Sequence, residues 1–140
     1  MKLNHFVAVF IAVFLSCSVF AKEDVPDSIE GVTKVTAEEV IGLIEESEEL
    51  VIIDARSPAD RAAGYIEGSV ALPNTDTTAE NFAAAVASKD TPVVIYCNGV
   101  KCGRSVESSK NAVAWGYTKV YWFRGGWEEW SNEGLPATTD

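Results

Sequence analysis

The chain has 140 residues, 47% of them hydrophobic, and a formal net charge of −10 from 21 acidic and 11 basic side chains. So acidic a chain excludes nucleic acid and anionic membrane surfaces as electrostatic partners. Its single histidine, His5, lies in an N-terminal apolar run, so the rest of the chain has no histidine for a Cys–His dyad, a Ser–His–Asp triad or a histidine metal site.

In chain order, Met1-Lys2 gives a positive start, Phe6 to Phe20 is almost wholly apolar, and Val19-Phe20-Ala21 has small enough residues at the cleavage-defining positions. This reads as a secretory signal peptide over residues 1–21, cut after Ala21. The run of 15 residues is short for a membrane span, which needs roughly 20. An uncleaved anchor is one alternative; a lipoprotein cut before Cys17 is another, which Phe14-Leu15-Ser16 fits poorly. Cleavage leaves 119 residues with a net charge of −11, since Lys2 is the one charged residue removed. That length suits one domain with one core. The expected location is periplasmic or secreted, with no stable membrane association after cleavage. Residues 22–33 read as a polar lead-in and residues 34–140 as the domain.

Thr36-Ala37-Glu38-Glu39 is a capping box opening a helix with Val40, Leu43 and Ile44 on one face. The acidic cluster Glu45-Glu46-Ser47-Glu48-Glu49 is a solvated helix end rather than a metal site. Leu50 to Ile53 predicts a buried strand ending at Asp54, and Ser57 with Pro58 starts a short helix that Gly64 ends. Ser69 to Leu72 predicts a strand closed by Pro73, and Thr78 to Ser88 an alanine-rich helix. Pro92 to Tyr96 is a strongly buried strand, Ser105 to Trp115 a helix stopped by Gly116, and Lys119 to Phe123 a further strand. Gly125-Gly126 turns into a short helix carrying Trp127 and Trp130, which ends near Gly134-Leu135-Pro136. Apolar strands alternating with helices predict an α/β fold of three layers, a central parallel sheet with helices on both faces. Sites in such sheets lie beyond the carboxyl ends of the strands, where both Asp54 and Cys97 fall.

The segment Val93 to Ser105 is the most informative. An apolar β-branched strand ends in Cys97, a loop with two glycines and two cations follows, and a helix begins. That order sets a sulfur at the opening of a ring of backbone N–H groups, which favours negative charge on or near it. With no histidine available, any activated cysteine relies on backbone dipoles, cations and the helix terminus.

Ile52-Ile53-Asp54-Ala55-Arg56-Ser57-Pro58 followed by Gly64-Tyr65-Ile66-Glu67-Gly68-Ser69-Val70-Ala71-Leu72-Pro73 resembles the first signature of the rhodanese family of sulfurtransferases, with Tyr65 in place of the usual histidine. Val120 to Trp130, then Gly134-Leu135-Pro136, resembles that family's C-terminal signature, and Cys97 falls between them where the catalytic cysteine falls. The resemblance implies the rhodanese-like fold and a two-step reaction. Cys97 as thiolate would take the outer sulfur of a small anionic donor such as thiosulfate and hold it as a persulfide. A thiol, a protein thiol partner or cyanide would then remove it. No cofactor and no metal is implied. Asn98, Gly99, Val100, Lys101, Cys102, Gly103 and Arg104 would form the substrate-binding loop. Their N–H groups would face the persulfide. Gly99 and Gly103 are expected at positive φ where the ring closes. Lys101 and Arg104 would attract the donor's sulfonate and favour the thiolate.

The loop departs from the family. The common single-domain form has four residues between cysteine and arginine, whereas six separate Cys97 from Arg104 here. Related cell-cycle phosphatases use five, so phosphatase or arsenate-reduction chemistry is an analogy only. Cys102, inside the same loop, is either a resolving thiol for Cys97 or a small packing residue. Asp54 and Arg56 are expected to buttress the loop by hydrogen bonds, since a carboxylate touching the thiolate would oppose its ionisation. Trp122, Trp127 and Trp130 are expected in the core, with Trp122, Phe123 and Arg124 as alternatives for the pocket rim. Three functions follow: a sulfurtransferase through Cys97, a dithiol redox protein using Cys97 and Cys102, and a non-catalytic rhodanese-like binding module.

Overall fold

The computed structural model describes residues 24–140; the expected signal peptide, its cut after Ala21, His5 and Cys17 lie outside the described residues. Five strands form one all-parallel sheet in the order β1-β6-β5-β2-β4: β1 Thr33–Val35, β2 Val51–Asp54, β4 Val70–Ala71, β5 Val93–Tyr96 and β6 Val120–Phe123. A separate antiparallel pair joins β3 (Tyr65–Ile66) to β7 (Ala137–Thr138). The helices are α1 Ala37–Glu46, α2 Pro58–Ala62, α3 Ala79–Ala85, α4 Arg104–Ala114 and α5 Gly126–Asn132.

Strand alternation sorts the core into layers, because successive side chains point to opposite faces. Ile53, Val93, Ile95 and Val120 pack with Phe82, Val86 and Ala112 of the α3–α4 side. Ile52, Val94, Tyr96 and Phe123 pack with Val40 and Trp130 of the α1–α5 side. The expected three-layer α/β architecture is thus the observed one. Thr36 and Glu39 close the capping box on α1, and Ser57 caps α2 through Asp60 N at 3.2 Å, each cap contributing about 1 kcal/mol.

Several details differ from the sequence reading. Strand β1 and the β3–β7 pair are too short to carry periodicity. Ile44, assigned to the buried face of α1, is 41% exposed; it lines a surface hollow with Leu50, Ile52 and Gly68. Helix α3 stops at Ala85 rather than Ser88 because Val86 leaves helical angles (φ −118°, ψ 96°) and is buried. The lead-in is not merely polar: Ile29 is buried against Val106 and Trp122, with Val25 and Val32 beside it.

Candidate active site

Every residue of β5 is buried, and Cys97 follows at its carboxyl end with 1% exposure. The loop then runs to Gly103, and α4 begins at Arg104. Helix α5 clamps the back of this loop: Trp127 N donates to the Cys97 carbonyl at 2.9 Å and Glu128 N to that of Asn98 at 2.8 Å. The peptides are trans, so the N–H groups of Asn98 and Gly99 point the opposite way, away from α5. Cys102 N donates to Gly99 O at 3.0 Å and tightens the turn. The N–H groups of Asn98, Gly99, Val100, Lys101 and Gly103 donate to no acceptor among the described residues. With the free first-turn N–H groups of α4 they form a concentration of donors suited to an anion.

The expected positive φ at Gly99 and Gly103 is not found: neither has it, and Gly103 sits at φ −81°, ψ −7°. The glycine with that freedom is Gly126 (φ +55°), where a Cβ would overlap the Cys97 carbonyl. Ring closure is achieved by close approach of α5 and not by a twist within the loop. At Gly99 a Cβ would lie 2.7 Å from Glu128 Oε2, the far end of a side chain that can swing aside.

Cys97 and Cys102 form a disulfide, with Cα atoms 6.1 Å apart, inside the ordinary range for such a bond. The sulfur expected at the loop opening is therefore covered by the loop's own second thiol. Cys102 is half-buried and, with Asn98, Gly99, Val100, Lys101 and Glu128, lines a hollow of about 380 Å³. A larger hollow of about 580 Å³ lies beyond Gly103, lined by Asp24, Val25, Pro26, Val106, Glu107 and Lys110; neither cysteine lines it.

The two cations separate. Lys101 is exposed on the hollow, whereas Arg104 Nη1 reaches Asp60 Oδ2 at 3.5 Å across a half-exposed pair. Asp60 Oδ2 also accepts from Asn98 Nδ2 at 3.1 Å and Ser57 Oγ at 2.9 Å. Hydrogen bonds from Asn98 and then Ser57 hold the Asp60 carboxyl below the usual carboxylate value, against a smaller opposing effect of burial; the Arg104 charge adds to the lowering.

Asp54 and Arg56 support the loop only through intermediaries. Asp54 Oδ1 accepts from Arg56 N and Nε at 3.0 and 2.9 Å; Asp54 Oδ2 accepts from Arg56 Nη2, Arg61 Nη1 and the Tyr96 hydroxyl at 2.8, 3.0 and 2.9 Å. Arg56 also donates to the carbonyls of Asp60 and Gly64. Burial alone would raise the Asp54 carboxyl, but the hydrogen bonds and charge of Arg56, with the Tyr96 hydroxyl, overcome it and lower the value. Burial, reinforced by the Asp54 charge, pushes the Tyr96 phenol up to about 12. The network ties β2, β5 and the α2–β3 turn together directly beneath Cys97, and Asp60 relays it to Asn98 and Arg104.

Trp122 and Phe123 are buried rather than on the rim, with Trp122 Nε1 donating to Ser105 Oγ at 2.9 Å. Trp130 is likewise core, while Trp127 is half-buried with Arg56 stacked 5.1 Å from its ring centre. Arg124 serves the lead-in, bonding Pro26 O at 3.2 Å and facing Asp27 at 3.6 Å. Tyr65 lies beneath Arg61, 3.5 Å from its ring centre, and donates to Asp140. Sequence reasoning passed over Asp60, Tyr96, Gly126 and Glu128. Gly126 and Glu128 stand inside the C-terminal signature, where Gly126 reads as a turn and Glu128 has no assignment of its own.

A cysteine at the end of a central parallel strand, opening a donor-rich loop at a helix N-terminus, defines an anion-facing thiol site on a parallel α/β sheet. The chain belongs to the rhodanese-like domain family, whose model matches residues 36–133. A sulfurtransferase of Allochromatium vinosum is 30% identical over 105 residues, 75% of this chain and 94% of that one. Among solved structures, the thiosulfate sulfurtransferase of Pseudomonas aeruginosa matches with a TM-score of 0.65 at 22% identity, over 77% of this chain and 20% of that one. The polysulfide-sulfur transferase homodimer of Wolinella succinogenes matches at 0.63 and 21% identity, over 79% and 80% of the two chains. At these identities the structural matches establish the fold.

Proposed function

We propose that the protein is a sulfurtransferase that carries sulfane sulfur as a persulfide on Cys97. The observation that carries this reading is the position of Cys97, at the end of β5 and the start of a loop whose unpaired N–H groups precede α4. In the reduced protein, the Cys97 thiolate attacks the outer sulfur of a small anionic donor such as thiosulfate. The bond between the two donor sulfurs breaks, sulfite leaves with its electron pair, and the anionic persulfide stays on Cys97. The loop N–H groups stabilise that charge. Cyanide or a thiol then takes the outer sulfur and the thiolate returns. The family membership and the sulfurtransferase relative support the reaction class. Lys101, free on the hollow, attracts the donor. Sulfite released from thiosulfate by pre-reduced protein tests the reading: Cys97→Ser abolishes it, and full release in that variant contradicts it.

The Cys97–Cys102 disulfide favours a second reading, a dithiol redox protein. It requires the pair to form and open reversibly under mild oxidant and reductant; two thiols that never pair would exclude it. We also propose export to the periplasm or beyond, supported by the N-terminal apolar run. N-terminal sequencing of the mature chain then begins at Lys22; an intact Met1 in the mature chain contradicts it.

A further inference from the structure

We propose that Cys102 resolves the Cys97 persulfide within the chain, so that the protein reduces sulfane sulfur to free sulfide and is left as the disulfide. This rests on the persulfide reading of Cys97.

Three observations carry it. The two cysteines sit in one loop, and their Cα atoms, 6.1 Å apart, are bridged while β5 and α4 stand intact on either side. In the disulfide-bonded chain Cys97 is 1% exposed with Cys102 bonded over its sulfur, so Cys102 occupies a position from which that sulfur is attacked. Cys102 is the half-buried wall of the hollow beside it and already lies within bonding reach. Effective molarities for groups held this way reach on the order of 10⁵ M and above, far beyond any external thiol. A persulfide on Cys97 therefore meets Cys102 before it meets an acceptor. Cys102 lies within the six residues that separate Cys97 from Arg104.

The Cys102 sulfur attacks the Cys97 sulfur, and the bond between Cys97 and its outer sulfur breaks. The outer sulfur leaves as hydrosulfide, carrying the proton that Cys102 gives up. The two thiols are oxidised to the disulfide, and their two electrons reduce the sulfane sulfur to sulfide. An external thiol or dithiol reductant, entering at the accessible Cys102 sulfur, then reopens the bond. Turnover by this route needs a reducing partner rather than a sulfur acceptor.

The test uses fully reduced chain, freed of reductant and kept without oxygen, given an equivalent of thiosulfate and assayed for sulfite, sulfide and intact mass. Wild type is expected to release sulfite and sulfide in equal amounts and to lose the mass of two hydrogens. Cys102→Ser is expected to release sulfite, keep one extra sulfur atom and yield no sulfide above a protein-free control. Wild-type chain that holds the extra sulfur and releases no sulfide overturns the inference while leaving the persulfide reading intact. Neither sulfite nor a sulfur gain in either protein overturns the persulfide reading beneath it. The wild-type arm decides the point whether or not the variant folds.

Discussion

Gly126 lies so close to Cys97 that a single added carbon on its Cα would overlap the Cys97 carbonyl, and the next residue, Trp127, donates its N–H to that same oxygen at 2.9 Å. The loop after β5 is thus shaped from behind by α5, contributed by a segment thirty residues further along the chain. Turning the carbonyls of Cys97 and Asn98 toward α5 is what leaves the following N–H groups facing away from it.

Gly126→Ala combines this overlap with a φ of +55° that other residues seldom adopt. Strain of that kind costs about 1–3 kcal/mol, and displacement of the Cys97 peptide adds to it. The expected result is a lowered melting temperature together with loss of sulfur transfer from thiosulfate, read as released sulfite. Unaltered transfer in a folded Gly126→Ala protein would show that α5 does not set the loop.

Asp54→Asn removes the anion that Arg56 and Arg61 share. Breaking one side of a buried pair costs about 3–5 kcal/mol, so denaturant unfolding moves to a markedly lower midpoint. The same group gives the acid limb of stability. Its carboxyl is held below the ordinary 3.8 in the folded chain, so its contribution is complete above that value and is lost as pH falls through the lower folded value. Equilibrium unfolding below about pH 4 is expected to show a steeper loss in wild type than in Asp54→Asn.

Tyr96→Phe leaves Asp54 Oδ2, Ile66 N and Ser69 Oγ each short of a partner, at a cost of about 1–3 kcal/mol. Because the folded phenol is raised from 10.0 to about 12, its stabilisation is full below 10 and disappears as pH rises through the folded value. The variant is expected to lose that part of the alkaline dependence, which unfolding measured from pH 9 upward would detect; an unchanged alkaline limb contradicts the assignment.

Asp60→Asn frees Arg104 from the half-exposed pair that now holds it. An exposed pair is worth about 0.2–1 kcal/mol, so the fold is little affected. The change is expected in substrate handling: a KM for thiosulfate lowered up to about fivefold with kcat nearly constant, as Arg104 and the loop attract the anion unopposed. A raised KM would mean that Asp60 positions Asn98 and Arg104 for binding.

The sheet was legible in the sequence because Val51 to Asp54, Val93 to Tyr96 and Val120 to Phe123 are long enough apolar runs to declare buried strands, and the caps at Thr36 and Ser57 announce their helices locally. Cys97 and its loop were legible from order alone: strand, thiol, glycine, helix. What escaped depends on distant parts meeting. No local pattern says that Gly126 abuts Cys97, that Glu128 occupies the space over Gly99, or that Asp60 draws Arg104 aside. The expectation of positive φ at Gly99 and Gly103 failed for the same reason, since the constraint on the loop comes from α5. Strands of two or three residues, such as β1, β3 and β7, carry too little sequence to be seen before their partners are known.

Intact mass of reduced Cys102→Ser beside reduced Cys97→Ser, after incubation with thiosulfate, decides whether Cys97 bears the transferred sulfur. The result expected of a carrier role for Cys97 is a gain of one sulfur atom on Cys102→Ser, removed by cyanide, and none on Cys97→Ser. An equal gain on both, or a gain on Cys97→Ser alone, would contradict it.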